Sequence, residues 1–215
     1  MTNLVIHNFD LFGTAVFAIT GALCGVRHRL DLLGVIIFGC TVGVGGGILR
    51  DTIIGAVPAA ALKDMSYLLL CIISSVLVFF IARYLSNLTR IIAFCDAIGL
   101  GVFTAIGCAK GFLFDLNTIG VILCGVLTSV GGGILRDVMC KSIPVVLTSD
   151  FYATASLLGG VLFCLLKQFA NISEFALFMI IFLFVTSIRL GAMYLKLQLP
   201  VAQCADNASL ERDDS

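Results

Sequence analysis

Gly45–Asp51 reads GGGILRD, and Gly131–Asp137 reads GGGILRD again. Apolar low-complexity sequence produces chance matches, but not an identical heptapeptide that includes an adjacent Arg–Asp pair. Working outward at the same offset of 86, Asp10–Pro58 lies over Asp96–Pro144 without a gap, with 20 identities in 49 positions. Matched pairs include Asp10 with Asp96, Gly13 with Gly99, Phe17 with Phe103, Gly21 with Gly107, Gly34 with Gly120 and Pro58 with Pro144. The chain contains an internal duplication.

The surrounding composition says where such a duplication resides. Of 215 residues, 60% are hydrophobic and 12% charged, and the mean hydropathy is +1.14. Soluble domains carry about 25% charged residues, so a disordered chain and a soluble globular enzyme are both excluded. Apolar stretches fall at 9–26, 32–57, 65–84, 91–109, 118–143, 151–167 and 174–195, lengths suited to helices that cross a bilayer. Seven spans leave room for short loops and a tail, with no extramembrane catalytic domain. The 13 basic and 13 acidic residues cancel, so the basic footprint of a nucleic-acid binder is missing. No nucleophile–base–acid set or nucleotide loop is present, and no enzyme is expected. The nine cysteines lie scattered in apolar runs without Cys-x-x-Cys spacing and read as small apolar helix residues. His7 and His28 read as interfacial. No cofactor is expected, and no metal beyond transient monovalent cations. The first eight residues hold no Lys or Arg, so the first span reads as retained rather than as a cleaved signal.

The predicted fold is an all-α integral membrane protein with seven transmembrane helices, two inverted three-helix repeats plus a seventh helix. A single transmembrane domain covers 1–199, with repeat one at about 8–85, repeat two at about 91–170 and the seventh helix at about 174–196. Residues 200–215 form a polar, acidic cytoplasmic tail. Three spans per copy is an odd number, so the second copy enters from the opposite face. The copies are then related by a pseudo-two-fold axis in the membrane plane. Four Lys and Arg fall on the side of the N-terminus and nine on the other, which places the N-terminus outside and the C-terminus in the cytoplasm.

Three consecutive glycines cost a helix about 3 kcal/mol relative to alanine. They sit near the middle of spans two and five. A bend or unwinding at Gly45, Gly46 and Gly47, and at Gly131, Gly132 and Gly133, is therefore expected to turn carbonyl oxygens toward a cavity and a passing cation. The alternative is close helix packing through small residues. Thr41, Thr128 and Ser129 precede the glycines, and their hydroxyls either line a wet path or bond their own helix carbonyls. Arg50, Asp51, Arg136 and Asp137 follow the glycines inside apolar sequence, where charges face a bundle interior or water and need partners. Neighbours on a helix point about 100° apart. Pairing across the repeats is therefore expected, Arg50 with Asp137 or Asp96 and Arg136 with Asp51 or Asp10. Asp10 and Asp96, at the starts of spans one and four, either complement the helix dipole, form an acidic mouth, or partner an embedded arginine. Arg189 late in span seven either reaches the interface or joins the pore. Lys63, Lys110, Lys141 and Lys167 read as loop anchors.

The duplicated GGG-x-x-RD on spans two and five of a seven-span chain resembles the trimeric intracellular cation channel family, in particular its prokaryotic branch, a family also labelled as glycine transporters. The resemblance covers about residues 8–196. It implies a homotrimer in membrane lipid with one hourglass pore per protomer, running between the repeats and kinked at the GGG segments. It implies passage of potassium and sodium, with a secondary transporter of a small solute such as glycine as the alternative. A bacterial inner membrane is the implied setting. Animal members have a lysine-containing lipid motif and a basic tail. This sequence shows neither, so their lipid regulation is not carried over.

Overall fold

Asp31 and Asn117 are equivalent positions of the duplication, and each starts a helix. Their side chains accept hydrogen bonds from the N–H groups of Gly34 and Gly120, both at 2.7 Å, which satisfies a backbone donor that the first turn otherwise leaves open. The helices so capped are α2 (Leu32–Ile53) and α6 (Thr118–Met139). The computed structural model describes residues 2–148, 151–170 and 172–195. The expected tail at 200–215 lies outside the described residues. Around α2 and α6 stand α1 (Thr2–Arg27), α4 (Met65–Ile81), α5 (Leu88–Leu113), α8 (Ala153–Phe169) and α9 (Glu174–Leu195). Two single-turn helices, α3 (Ala60–Lys63) and α7 (Val145–Thr148), follow α2 and α6. The sequence pattern did not reveal them, because four residues carry no periodicity.

Every apolar stretch read from the sequence holds an apolar helix. Six helices among the described residues are long and apolar enough to cross a membrane, and α8 is a shorter apolar helix of 17 residues. The outer face of α4 exposes Leu68, Leu69, Ile72, Ile73, Leu77 and Phe80, a surface that suits lipid rather than water. The chain is a multi-pass membrane protein.

Each copy packs alike: α1 lies against α2 and α4, and α5 lies against α6 and α8. The copies then meet through α1 with α5 and α2 with α6. The rings of Phe17 and Phe103, equivalent residues, stand 5.1 Å apart. Gly13 faces Phe103, and its equivalent Gly99 faces Phe17. Such reciprocal contacts are those of an isologous interface.

The expected unwinding at the glycines is not present. Helix α2 continues through Gly45–Gly47 and α6 through Gly131–Gly133. The glycines instead let two backbones touch. A Cβ on Gly46 would stand 2.6 Å from the Thr128 carbonyl oxygen, and one on Gly132 would stand 2.8 Å from that of Val42. These contacts are again equivalent pairs. The propensity cost of glycine is thus offset by close helix crossing, a tertiary gain that a propensity count leaves out.

Candidate functional site

In an antiparallel helical hairpin, residues equidistant from the turn face each other. Asp10 and Arg50 are each 20 residues from Leu30, and Asp96 and Arg136 are each 20 from Leu116. The hairpin of each copy therefore sets its own ion pair. Arg50 Nη1 and Nη2 donate to Asp10 Oδ1 and Oδ2 at 3.4 and 3.2 Å, and Nε donates to Asp51 Oδ1 at 2.8 Å. Arg136 Nη1 donates to Asp96 Oδ1 at 2.5 Å, and Nε to Asp137 Oδ1 at 2.9 Å. All six residues are buried. The expected cross-repeat pairing of the arginines is thus corrected to pairing within each repeat. Adjacent Arg and Asp do meet, because the arginine side chain is long enough to fold back over its own helix.

The second oxygens of Asp51 and Asp137 are also used. They accept from the N–H of Ala60 at 2.9 Å and of Val145 at 2.8 Å, which ties down α3 and α7. Full hydrogen bonding is what makes a buried ion pair tolerable. Tyr67 donates to Asp10 Oδ2 at 3.2 Å. Its counterpart Tyr152 lies under the Arg189 guanidinium, 4.9 Å from ring centroid to Cζ. The sequence reading passed over both tyrosines. They match at an offset of 85, because copy two is one residue shorter before its single-turn helix.

Lys110 is not a loop anchor. Its Nζ lies 3.2 Å from Asp51 Oδ1 and 3.4 Å from Asp10 Oδ2, so copy two lends a cation to the cluster of copy one. Little space remains there, about 10 Å³ beside Asp10, Arg50 and Asp51. At the other cluster the residue equivalent to Lys110 is Cys24. A cavity of about 300 Å³ opens there, lined by Cys24, His28, Asp96, Arg136, Asp137 and Arg189 among others. Arg189 lines this cavity. Since α1 carries both Asp10 and Cys24, 14 residues apart, the clusters stand at opposite ends of the bundle, about 21 Å from each other.

The hydroxyls bond carbonyls of their own helices. Thr41 donates to the Ile37 carbonyl at 2.8 Å, Thr128 to that of Cys124 at 2.6 Å and Ser129 to that of Val126 at 2.9 Å. Ser129 and Thr104 also each lie 2.8 Å from the Ser156 hydroxyl, joining α5, α6 and α8. The sequence reading left the cysteines and histidines apart, and the structure brings three of them together: the ligand atoms of Cys24, His28 and Cys140 lie within 4.8 Å of one another. The four-residue spacing of Cys24 and His28 on one helix was the available signal.

The family model described as Glycine transporter matches the chain twice, over residues 7–83 and 93–168. The chain is 39% identical over 197 residues to a membrane protein of Vibrio cholerae, covering 91% of this chain and 82% of that one. It is 37% identical over 159 residues to an inner membrane protein of Escherichia coli strain K12, covering 74% and 77%. Among solved structures it is similar to the TRIC trimeric intracellular cation channel orthologue from Rhodobacter sphaeroides, with a TM-score of 0.86 and 32% identity over 90% of this chain and 99% of that chain.

Proposed function

The chain belongs to the trimeric intracellular cation channel family, and from that premise we propose that it is a channel for monovalent cations, potassium and sodium. It works as a homotrimer with one pore per protomer. Seven helices cross the membrane, with the N-terminus outside and the C-terminus in the cytoplasm. The two three-helix halves are inverted about an axis that passes between Phe17 and Phe103 and between Gly46 and Gly132.

One observation carries this reading: two buried acid-bearing clusters stand at opposite ends of one bundle, joined along α2 and α6 through the glycine crossing. A cation moving along that line meets carboxylate oxygens at both ends, in clusters whose acids are balanced by bases. Each carboxylate is committed to an arginine, which leaves no bare carboxylate cage to hold a divalent ion. The crossing is the gate. Gly45 and Gly46 are buried in it, and conduction requires α2 and α6 to part where only backbone and small residues interlock.

Planar-bilayer recording of the purified protein with potassium, sodium and chloride substituted in turn tests the proposal. Discrete currents that reverse near the cation equilibrium potential are expected. Folded protein that stays silent across voltages, yet takes up glycine saturably and with ion coupling in proteoliposomes, would replace the channel with the transporter named in the family description.

A further inference from the structure

Helix α1 closes with Cys24 and Arg27, and His28 follows directly. The spacing of four puts the Cys24 thiol and the His28 imidazole on one face. Cys140, the residue after α6, reaches the same place from the other copy. The sulfurs of Cys24 and Cys140 each lie 3.8 Å from His28 Nδ1. In a tetrahedral zinc site, with Zn–S of about 2.3 Å and Zn–N of about 2.0–2.1 Å, neighbouring sulfur and nitrogen ligands stand roughly 3.6 Å apart. Both sulfur–nitrogen edges of such a tetrahedron are thus already present to within a few tenths of an ångström, and the three ligand atoms all lie within 4.8 Å of one another.

We propose that Cys24, His28 and Cys140 hold one soft divalent transition-metal ion of the zinc class, with its fourth position open to the 300 Å³ cavity. The donor set selects the metal: two thiolates and an imidazole favour zinc over magnesium, calcium or the alkali cations. Charge bookkeeping permits it. Each M²⁺ displaces the two thiol protons of Cys24 and Cys140, and His28 binds as a neutral ring, so the assembly adds no net charge. The neighbouring cluster, where Arg136 and Arg189 balance Asp96 and Asp137, is left undisturbed. His28 Nδ1 also lies 2.9 Å from the Cys24 carbonyl oxygen. That contact is given up on ligation, and the ring keeps its proton on Nε2.

The site also breaks the duplication. The equivalents of Cys24, His28 and Cys140 are Lys110, Phe114 and Ile54, of which none offers a thiolate or imidazole. An ion here ties the end of α1 in copy one to the end of α6 in copy two, at the mouth of the larger cavity. Metal binding itself is independent of the channel reading; only an effect on current rests on it.

The test is a Co²⁺ titration of the full chain, untagged, metal-free and reduced. One Co²⁺ per chain is expected, with the visible d–d bands of a tetrahedral site and a thiolate charge-transfer band, displaced by Zn²⁺, and Zn²⁺ should raise the melting temperature. Cys140→Ser and His28→Ala should each weaken binding roughly 100-fold or more, the upper end of what even an outer-shell loss costs. Cys164→Ser, on α8, should leave the spectrum unchanged. A folded wild-type protein without that spectrum, or a spectrum that survives both Cys140→Ser and His28→Ala, overturns the proposal. So does a Cys24–Cys140 disulfide in protein isolated without reductant. No current is measured, so these failures are separate from a failure of the channel reading.

Discussion

At one end of the bundle Lys110 reaches both carboxylates of the Asp10, Arg50 and Asp51 cluster and about 10 Å³ stays open. At the other end the same position is Cys24, the side chain stops short, and about 300 Å³ stays open. The Arg–Asp–Asp frame is common to both ends, since each hairpin builds it alone. What differs is the one residue supplied by the opposite copy, together with α9, which lies outside the duplication and brings Arg189 over Tyr152. Each end still counts two acids and two bases. The duplication thus fixes the Arg–Asp–Asp frame, Lys110 at one end and Arg189 at the other complete its charge balance, and the inter-copy position fixes access.

The shared frame is where the largest effect is expected. Arg50→Ala or Arg136→Ala leaves carboxylates buried with too few cations, and breaking such a pair costs about 3–5 kcal/mol. Thermal unfolding in detergent should show either variant strongly destabilised. Arg50→Met combined with Asp10→Leu should recover much of the loss, because Lys110 remains 3.2 Å from Asp51. A double variant as unstable as Arg50→Ala would break the account of the frame as a balanced ion set.

The glycine crossing gives the next effect, about 1–3 kcal/mol, the usual cost of overpacking. Gly46→Ala and Gly132→Ala should destabilise alike, since each new Cβ meets a carbonyl of the opposite helix at 2.6 and 2.8 Å. Gly47→Ala should differ in sign. Its nearest neighbour is the movable Arg50 Nη2 at 3.5 Å, and the helix gains up to about 1 kcal/mol in propensity. Melting temperatures of the three single variants check this, and equal losses at 46 and 47 would deny that the crossing is what the glycines serve.

The sequence made the duplication, the helices and the burial of the four central charges legible, because hydropathy and an identical heptapeptide report on them directly. Partner choice was legible too, but through a different quantity. The angle between neighbours on one helix argued for cross-repeat pairing, whereas the equal separation of Asp10 and Arg50 from Leu30 in the turn names each as the other's partner. The uninterrupted helices were hidden because glycine's cost is local while its gain is a contact with a helix 86 residues away. Lys110 and the Cys24–His28–Cys140 trio were hidden for a related reason. Both depend on how copy one meets copy two, and Cys140 stands 112 residues from His28.

The smallest effect expected is the one that tests access most directly. Lys110→Met leaves Arg50 facing both Asp10 and Asp51, so that end of the bundle becomes more negative by one charge. In the proposed channel the local cation concentration there rises, and unitary potassium conductance should increase about twofold at low salt, with the gain fading as salt shortens the screening length. The reverse change, Cys24→Lys, extends an ammonium into the large cavity beside Asp96 and Asp137. It should lower conductance by a similar factor with the same salt dependence. Single-channel recording of both variants in low and high KCl compares the two ends on one scale. Opposite shifts that vanish together at high salt would make the inter-copy residue the determinant of access. Shifts of the same sign, or shifts indifferent to salt, would mean that packing of the long side chain, and not its charge, separates the closed end from the open one.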